Sequence, residues 1–338
     1  MMRQPRFWSK DGNRLLRWLF APMGWLYGAL TLRRAAKPGW RAPVPVISIG
    51  NFTVGGGGKT PTAIAMAQAL LAHDDSPFLI TRGYGGQLAG PIRVMPGQHR
   101  AAETGDEPLL LAAVAPTIVA RDRRAGAMMA IEQGAGCLIL DDALQNPALI
   151  KDLSLAAVDA GFGFGNGACL PAGPLRAPVA AMARHVDAIL LIGAGDKPDG
   201  LPAGLPCFRA MLQPQRPATL PAGAAVLAYC GLARPEKFAA SLRALGLDIR
   251  GLREFPDHHP FTAAEAEALL AEAEQLGVAL VTTEKDAARF AGEPVLARLA
   301  AASHAIPVSL QPEAAFWDWL YAGLSSARSR ASTASGPA

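Results

Sequence analysis

Charge is scarce in this chain. Asp, Glu, Lys and Arg make up 18% of its 338 residues, against 51% apolar residues. That balance excludes a disordered chain and a long coiled coil, and it leaves enough apolar material for the core of one large or two ordinary domains. Cysteine is scarce as well. Cys137, Cys169, Cys207 and Cys230 are widely spaced and form no CxxC pair. This excludes a disulfide framework and a cysteine zinc site, and it fits a reducing compartment. A membrane-spanning run is lacking: the apolar stretch at 19–32 is shorter than the roughly 20 residues that cross a bilayer, and Pro22, Gly24 and Gly28 interrupt it. No internal repeat is present.

The charge that exists is unevenly placed. Residues 1–41 carry nine basic side chains and one acid, Asp11, while the remainder holds 23 basic and 27 acidic residues. The basic excess therefore belongs to the N-terminal arm, and the net-negative body argues against a nucleic-acid partner. The same arm carries Phe7, Trp8, Trp18, Phe20, Trp25, Tyr27 and Trp40. Basic flanks with interfacial Trp and Tyr read as a segment lying on an anionic membrane surface. An ordinary N-terminal helix packed on the body is the alternative. A cleaved signal peptide is set aside, because the unpaired, widely spaced thiols fit a reducing compartment.

After residue 41 the pattern becomes alternating α/β. Apolar runs at 44–49, 78–80, 117–120, 137–140, 155–158 and 188–192 lack strict alternation, as expected for a parallel sheet covered on both faces. Helices are expected at 60–71, 107–114 and 123–133. The Gly/Pro-rich stretch 194–222 reads as a boundary. Beyond it come a strand at 225–229, a helix at 235–245, a helix opened by the capping-box pair Thr262 and Glu265 and running to 276, a strand at 278–282 and a last helix at 312–324. The expected organisation is an arm over 1–41, a larger α/β domain over 42–222, a smaller α/β domain over 223–325 and a disordered tail over 326–338.

The strongest chemical signal is Gly55-Gly56-Gly57-Gly58-Lys59-Thr60 between a strand and a helix. Glycines let backbone N–H groups converge on phosphates, and the helix N-terminus adds a favourable dipole. Lys59 reaches the β- and γ-phosphates in such a loop, and the Thr60 hydroxyl ligates magnesium. The usual spacing wants a glycine where Thr53 stands. Asp141 and Asp142 close the apolar run 137–140, the pattern of a second element that binds magnesium, and either carboxylate suits the metal.

Several segments are more specific than a generic phosphate loop. Ser48-Ile49-Gly50-Asn51-Phe52-Thr53-Val54 leads into the glycines, and Lys59-Thr60-Pro61 leaves them. Thr81-Arg82-Gly83-Tyr84-Gly85, Gly105-Asp106-Glu107-Pro108, Asp141-Asp142-Ala143-Leu144-Gln145 and Gly165-Asn166-Gly167 follow. Then come Leu170-Pro171-Ala172-Gly173-Pro174-Leu175-Arg176, Asp257-His258-His259 and Thr282-Thr283-Glu284-Lys285-Asp286. In this order, from about residue 14 to 320, the series resembles the tetraacyldisaccharide 4'-kinase family, which phosphorylates the lipid A precursor. Ala143 and Asn146 depart from the glycine and histidine usual in that family. Gly57, often Thr or Ser in relatives, is expected to matter little.

The resemblance implies transfer of the ATP γ-phosphate to a sugar 4'-hydroxyl of a tetraacylated disaccharide 1-phosphate, with ATP and Mg2+ as cofactors. It implies a P-loop fold with an N-terminal membrane-associated helix, peripheral on the cytoplasmic face of the inner membrane, and no obligate protein partner. By motif position it makes Asp106 the candidate base, His258 its partner and Lys59 the catalytic cation. The nucleotide contacts are Thr53, Val54, Gly55, Gly56, Gly57, Gly58, Lys59, Thr60, Pro61, Arg82, Arg176 and Glu284. The metal ligands are Thr60, Asp141 and Asp142. Each has a plainer reading: Asp106 as a helix cap, His258 as a loop histidine, Arg82 and Arg176 as solvated cations, Glu284 and Lys285 as a surface pair. The rival from another class is a switch or partitioning ATPase, whose signature lysine position is occupied here by Val54.

Overall fold

The computed structural model describes residues 5–232, 234–290 and 294–334, with side chains to 330. Thirteen strands form two sheets among these residues: β1 Val46–Gly50, β2 Pro77–Thr81, β3 Ile92–Arg93, β4 Thr117–Val119, β5 Cys137–Leu140, β6 Leu153–Asp159, β7 Ala188–Ile192, β8 Cys207–Pro214, β9 Ala225–Cys230, β10 Asp248–Glu254, β11 Ala279–Thr283, β12 Ser303–Ile306 and β13 Val308–Pro312. The large sheet runs β13-β8-β7-β6-β1-β5-β2-β4-β3, and the small one β10-β9-β11-β12. β1, β2, β5 and β7 are buried along their whole length, so helices cover both faces. Only the outer pairs β3–β4 and β8–β13 of the large sheet are antiparallel.

Strand order decides where chemistry can occur. β1 lies between β5 and β6, parallel to both, with Ser48 opposite Leu140. The loop after β1 and the carboxylates after β5 therefore emerge side by side at the same sheet edge, the usual place for ligands in an open α/β sheet. Beneath that edge the helix Lys59–Leu71 buries Ala63, Met66, Ala67 and Leu70 in one core cluster with Ile47, Ile49, Leu79 and Ile139.

The domain boundaries differ from the sequence expectation. β8 lies within the supposed boundary 194–222 and belongs to the large sheet, and β13 returns to pair with it antiparallel. The small sheet is thus an insertion, and the chain rejoins the first core after Ile306 instead of staying in the second domain to 325. The reason is local: β8 and β13 form the sheet's edge, where polar side chains face solvent, so neither strand reads as an apolar run. The last helix also runs further than expected, Ala314–Ala334. Phe316, Leu320 and Leu324 are buried in the first core, Ala327 is buried as well, and Arg328 pairs with Asp75. That anchorage replaces a frayed tail through 334; residues 335–338 lie outside the described residues, as do 1–4 of the arm.

The arm is a 22-residue helix, Arg14–Ala35, capped by Asn13 Oδ1 accepting from the N–H of Leu15 and Leu16. Its buried residues are Gly24 and Gly28. A Cβ on Gly24 would lie 2.7 Å from the Cys169 carbonyl oxygen, and one on Gly28 would lie 3.1 Å from Cys169 Sγ and from Pro178 Cδ. The helix backbone thus sits directly on the 169–178 segment. Its other side turns outward, with Leu15, Trp18 and Trp25 75%, 78% and 76% exposed. Among the described residues no helix is long and apolar enough to cross a membrane. Gly24→Leu should force this helix off its seat, at a cost of about 1–3 kcal/mol for overpacking. Maleimide labelling of Cys169 checks it: faster labelling than wild type is expected, and an unchanged rate contradicts the glycine seat.

Candidate active site

The phosphate loop is built by backbone conformation. Gly55 and Gly58 take positive φ values of 100° and 79°, and Gly58 is the left-handed cap of the helix Lys59–Leu71. That geometry leaves the first N–H groups of the helix free to face an anion. Gly56 is open, with no atom within 4 Å of the place a Cβ would take. Gly57 is not: a Cβ there would collide with the Asn51 side-chain amide. Gly57 therefore matters more here than expected, because Asn51 fills the space. Asn51 Oδ1 accepts from the N–H and hydroxyl of Thr53 at 3.0 and 3.1 Å. This buries Thr53 where a glycine is usual. Val54 N–H donates to Pro174 O at 2.9 Å, tying the loop to the 169–176 segment. Thr60 and Pro61 lie half-buried in the first helical turn.

Lys59 folds back over the loop, its Nζ donating to Gly55 O at 3.3 Å and lying 3.9 Å from Asp142 Oδ1. Asp142 has a positive φ of 49°, an uncommon conformation for a residue with a Cβ. Arg176 holds it there through two parallel hydrogen bonds of 2.8 Å, Nη1 to Oδ1 and Nη2 to Oδ2. Burial pushes the Asp142 carboxyl up, but Lys59 and Arg176 outweigh it and hold it below the ordinary carboxylate range. Arg176 also donates to Gln145 Oε1, and Gln145 Nε2 donates to Asn51 O. One chain of bonds therefore joins the Asp-Asp turn to the glycine loop. Asp141 is the contrasting neighbour. Its carboxylate is buried, Oδ1 has no hydrogen-bond partner, and burial, Glu107 and Asp142 push its pKa up to about 7. An orphaned buried oxygen, a second carboxylate and the Thr60 hydroxyl form a hard oxygen donor set that suits Mg2+. Mg2+ takes one or two carboxylates and completes its shell with phosphate and water; among the described residues no group of three His, Cys, Asp or Glu is placed to hold a metal. Ala143 is buried, and Asn146 Oδ1 accepts from Ala148 N–H at 2.9 Å, a turn-forming role.

A second cluster joins the two sheets. Asp106 follows Gly105, whose φ is 94°, and opens the helix Asp106–Ala112. Its only bond within that helix is Oδ1 accepting from Glu107 N–H at 3.0 Å, so the helix-cap reading does not account for it. Oδ2 instead faces the inserted sheet's loops, where it accepts from His258 Nδ1 at 3.0 Å, from Arg289 Nε at 3.0 Å and from Arg289 Nη2. Lys285 Nζ donates to His258 Nε2 at 3.1 Å. An ammonium has no acceptor capacity, so the imidazole must carry its proton on Nδ1 and donate it to Asp106. Burial pushes the Asp106 carboxyl up; the His258 hydrogen bond, with the charges of Lys285 and Arg289, overcomes that and holds it far below the ordinary range. His258 has a positive φ of 60°, and the Tyr84 ring lies 5.8 Å from its own. Lys285 also lies 3.7 Å from Glu107 and 3.8 Å from Asp257.

Not every expected residue comes to the site. Glu284 does not: it is exposed, and its carboxylate accepts from Val308 N–H at 3.2 Å, at the return to the large sheet. Arg82 is exposed at the cleft edge without a hydrogen-bond or ion-pair partner among the described residues. His259 pairs with Glu265, away from Asp106. Sequence reasoning missed Arg289, which is buried against both Asp106 and Asp286. It lies in the turn after the four-residue helix Glu284–Ala287, three residues beyond the Thr282–Asp286 motif, and no local pattern announces it.

A family model described as tetraacyldisaccharide-1-P 4'-kinase matches residues 16–325. A protein from Methylobacterium nodulans named tetraacyldisaccharide 4'-kinase is 51% identical over 324 residues, covering 93% of this chain and 94% of its own. A protein of the same name from Rhodopseudomonas palustris is 45% identical over 336 residues, covering 97% and 98%. The crystal structure of LpxK from Aquifex aeolicus in complex with ATP superposes with a TM-score of 0.72 at 26% identity, covering 91% of this chain and 99% of that one.

The buried Asp106 pair has a pH signature. Its folded pKa lies below the unfolded value of about 3.9, so its stabilisation is present above that value and is lost as pH falls towards the folded one. Asp106→Asn removes one of the two buried carboxylates that pair with Arg289, which should cost about 3 kcal/mol at neutral pH and flatten the loss of stability below pH ~4. Urea unfolding from pH 3 to 7 reads both; equal acid slopes in the two proteins would contradict the assignment.

Proposed function

This chain belongs to the tetraacyldisaccharide-1-P 4'-kinase family, and from that premise we propose which residues carry the reaction and where it takes place. The enzyme is an ATP-dependent kinase that phosphorylates the 4'-hydroxyl of the lipid A precursor, a tetraacyldisaccharide 1-phosphate. What supports the residue assignment is that Glu107 links two clusters of charged side chains. Lys59 and Asp142 lie on the phosphate side, Asp106 and His258 on the acceptor side. Glu107 neighbours both, lying near Lys285 and acting on the charge of Asp141.

In this reading the loop amides of residues 55–60 take the β- and γ-phosphates, with Thr53, Val54 and Pro61 setting the loop's path. Lys59 exchanges its resting bond to Gly55 O for the γ-phosphate. Thr60, Asp141 and Asp142 would hold Mg2+, which would supply neutralising charge to the triphosphate. Arg176 fixes Asp142 and so positions the metal side of the site. Asp106 accepts the proton of the acceptor hydroxyl. Arg289 keeps Asp106 ionised, and His258, locked as the Nδ1–H tautomer, orients it. A strongly acidic carboxylate is a weak base, but the transition state of phosphoryl transfer is loose, so the proton need leave only late. Arg82 at the cleft edge is free to meet an anionic oxygen of either substrate. The exposed Leu15, Trp18 and Trp25 face lies on the cytoplasmic leaflet of the inner membrane, where a four-chain glycolipid must be met.

The test uses purified protein in detergent with γ-labelled ATP, Mg2+ and tetraacyldisaccharide 1-phosphate, following label into lipid. Transfer by wild type, reduced at least about 100-fold in Lys59→Ala and Asp106→Ala, is expected. Slow ATP hydrolysis with no lipid label would instead favour a switch ATPase. In the same preparations, Trp18→Ser/Trp25→Ser should lose flotation with anionic liposomes; full flotation would remove the helix from the docking role.

A further inference from the structure

Lys151 is a half-buried cation outside both clusters of the site. Its Nζ donates to Leu144 O at 2.7 Å, and no carboxylate pairs with it among the described residues. Burial pulls its pKa down to about 8. An ammonium is a strongly hydrated point charge, so setting one against a single carbonyl is unfavourable by itself. What the arrangement achieves is geometric.

The stem of Lys151 is clamped on both sides. Trp40 N–H donates to Ala148 O and Ile150 N–H to Trp40 O, both at 2.9 Å. Asp152 N–H donates to Val46 O at 2.8 Å, and its carboxylate accepts from Val46 N–H at 3.0 Å and Arg41 Nη1 at 2.7 Å. Lys151 is thereby fixed beside the entry of β1, and its ammonium reaches back seven residues to Leu144. Leu144 lies against the exit of the same strand. A Cβ on Gly50 would lie 2.3 Å from Leu144 Cβ and 2.9 Å from its N, and Ala143 N–H donates to Ile49 O at 3.0 Å. Two residues before Leu144, Asp142 holds its positive φ of 49°. A residue in so sparsely populated a conformation persists only where its surroundings over-determine it. Arg176 fixes the Asp142 side chain. Lys151 fixes the backbone that follows it.

We propose that Lys151 is a positioning residue for phosphoryl transfer, completing the Leu144 carbonyl so that the Asp142 turn stays closed against Lys59. The choice of reaction rests on the kinase reading; the hold on the turn does not. Without the ammonium a buried oxygen is left unsatisfied. The turn then reopens to find another donor, and Asp142 leaves its place beside Lys59.

The test compares full-length wild type, Lys151→Met, Asp142→Asn and the double variant in detergent. Methionine keeps the apolar stem and removes the donor. Affinity for a fluorescent ATP analogue with Mg2+ is measured without lipid, and label transfer from ATP to tetraacyldisaccharide 1-phosphate is followed in parallel. Lys151→Met should weaken analogue binding about tenfold, the effect of stranding one buried acceptor, and leave KM for the lipid unchanged. In the Asp142→Asn background the same substitution should change analogue binding by less than about twofold, because the turn it supports no longer contributes. Equal losses in both backgrounds overturn the proposal, as does wild-type affinity in a folded Lys151→Met; either leaves Lys151 a purely structural group. Lys151→Arg retains a charged donor and should stay within about threefold of wild type. A folded arginine variant that binds as weakly as Asp142→Asn overturns the proposal whether or not the methionine variant folds. Wild type that binds the analogue without labelling lipid defeats the kinase reading alone, and the binding cycle still decides the role of Lys151.

Discussion

The Asp106 carboxylate, buried between the inserted sheet and the large one, is the interaction on which the site depends. Taking a carboxylate and a guanidinium out of water costs several kcal/mol per ion unless geometry repays it. Here Arg289 meets Asp106 through two nitrogens and Asp286 through a third, and His258 adds a directed bond. The Arg289 guanidinium is paired by carboxylates from both units, Asp106 from the large one and Asp286 from the inserted one. The fold therefore cannot assemble this cluster without closing the two units on each other. A surface pair would exert no such control, because solvent screens it.

The phosphate side obeys the opposite logic. Its cations and amides are arranged with capacity left over. Lys59 rests on a carbonyl, Gly56 faces open space, and one oxygen of Asp141 is bonded to nothing. Only the supports are closed: Arg176 on Asp142, Gln145 on Asn51 and Asn51 on Thr53 form one chain of hydrogen bonds. A site that must admit a triphosphate keeps its contacting atoms unsatisfied and its supports rigid. A further pair of ionic contacts, Asp159 with Arg234 and Lys237, ties the end of β6 to the inserted unit. The cleft is thus bridged on both sides of the glycine loop.

Much of this was legible in the residues alone because it is local. Four glycines before Lys59, a buried strand before Asp141 and the capping box at Thr262 are short-range signals, and the structure places strands or helices at each. What escaped depends on long-range contacts. β8 and β13 define the sheet's edge only by pairing with each other across nearly a hundred residues, and neither has an apolar run to announce it. The last helix continues past 325 because Ala327 and Arg328 find partners on the body, which Ser/Ala/Arg composition does not reveal. Arg289 lies just beyond the Thr283 to Asp286 motif, and its importance arises only when the inserted unit meets Asp106. Glu284, read as a site residue from its motif, turns to Val308 because β13 starts beside it.

The most direct test of the claim that one shared charge pair joins the units is a double-mutant cycle on Asp106→Asn and Arg289→Gln, read by unfolding free energy at neutral pH. The two losses should be strongly non-additive. The double variant should be more stable than their sum by about 2–3 kcal/mol, because removing both charges leaves neither one stranded. Additive losses, to within about 0.5 kcal/mol, would show that the two side chains act independently and would contradict the account.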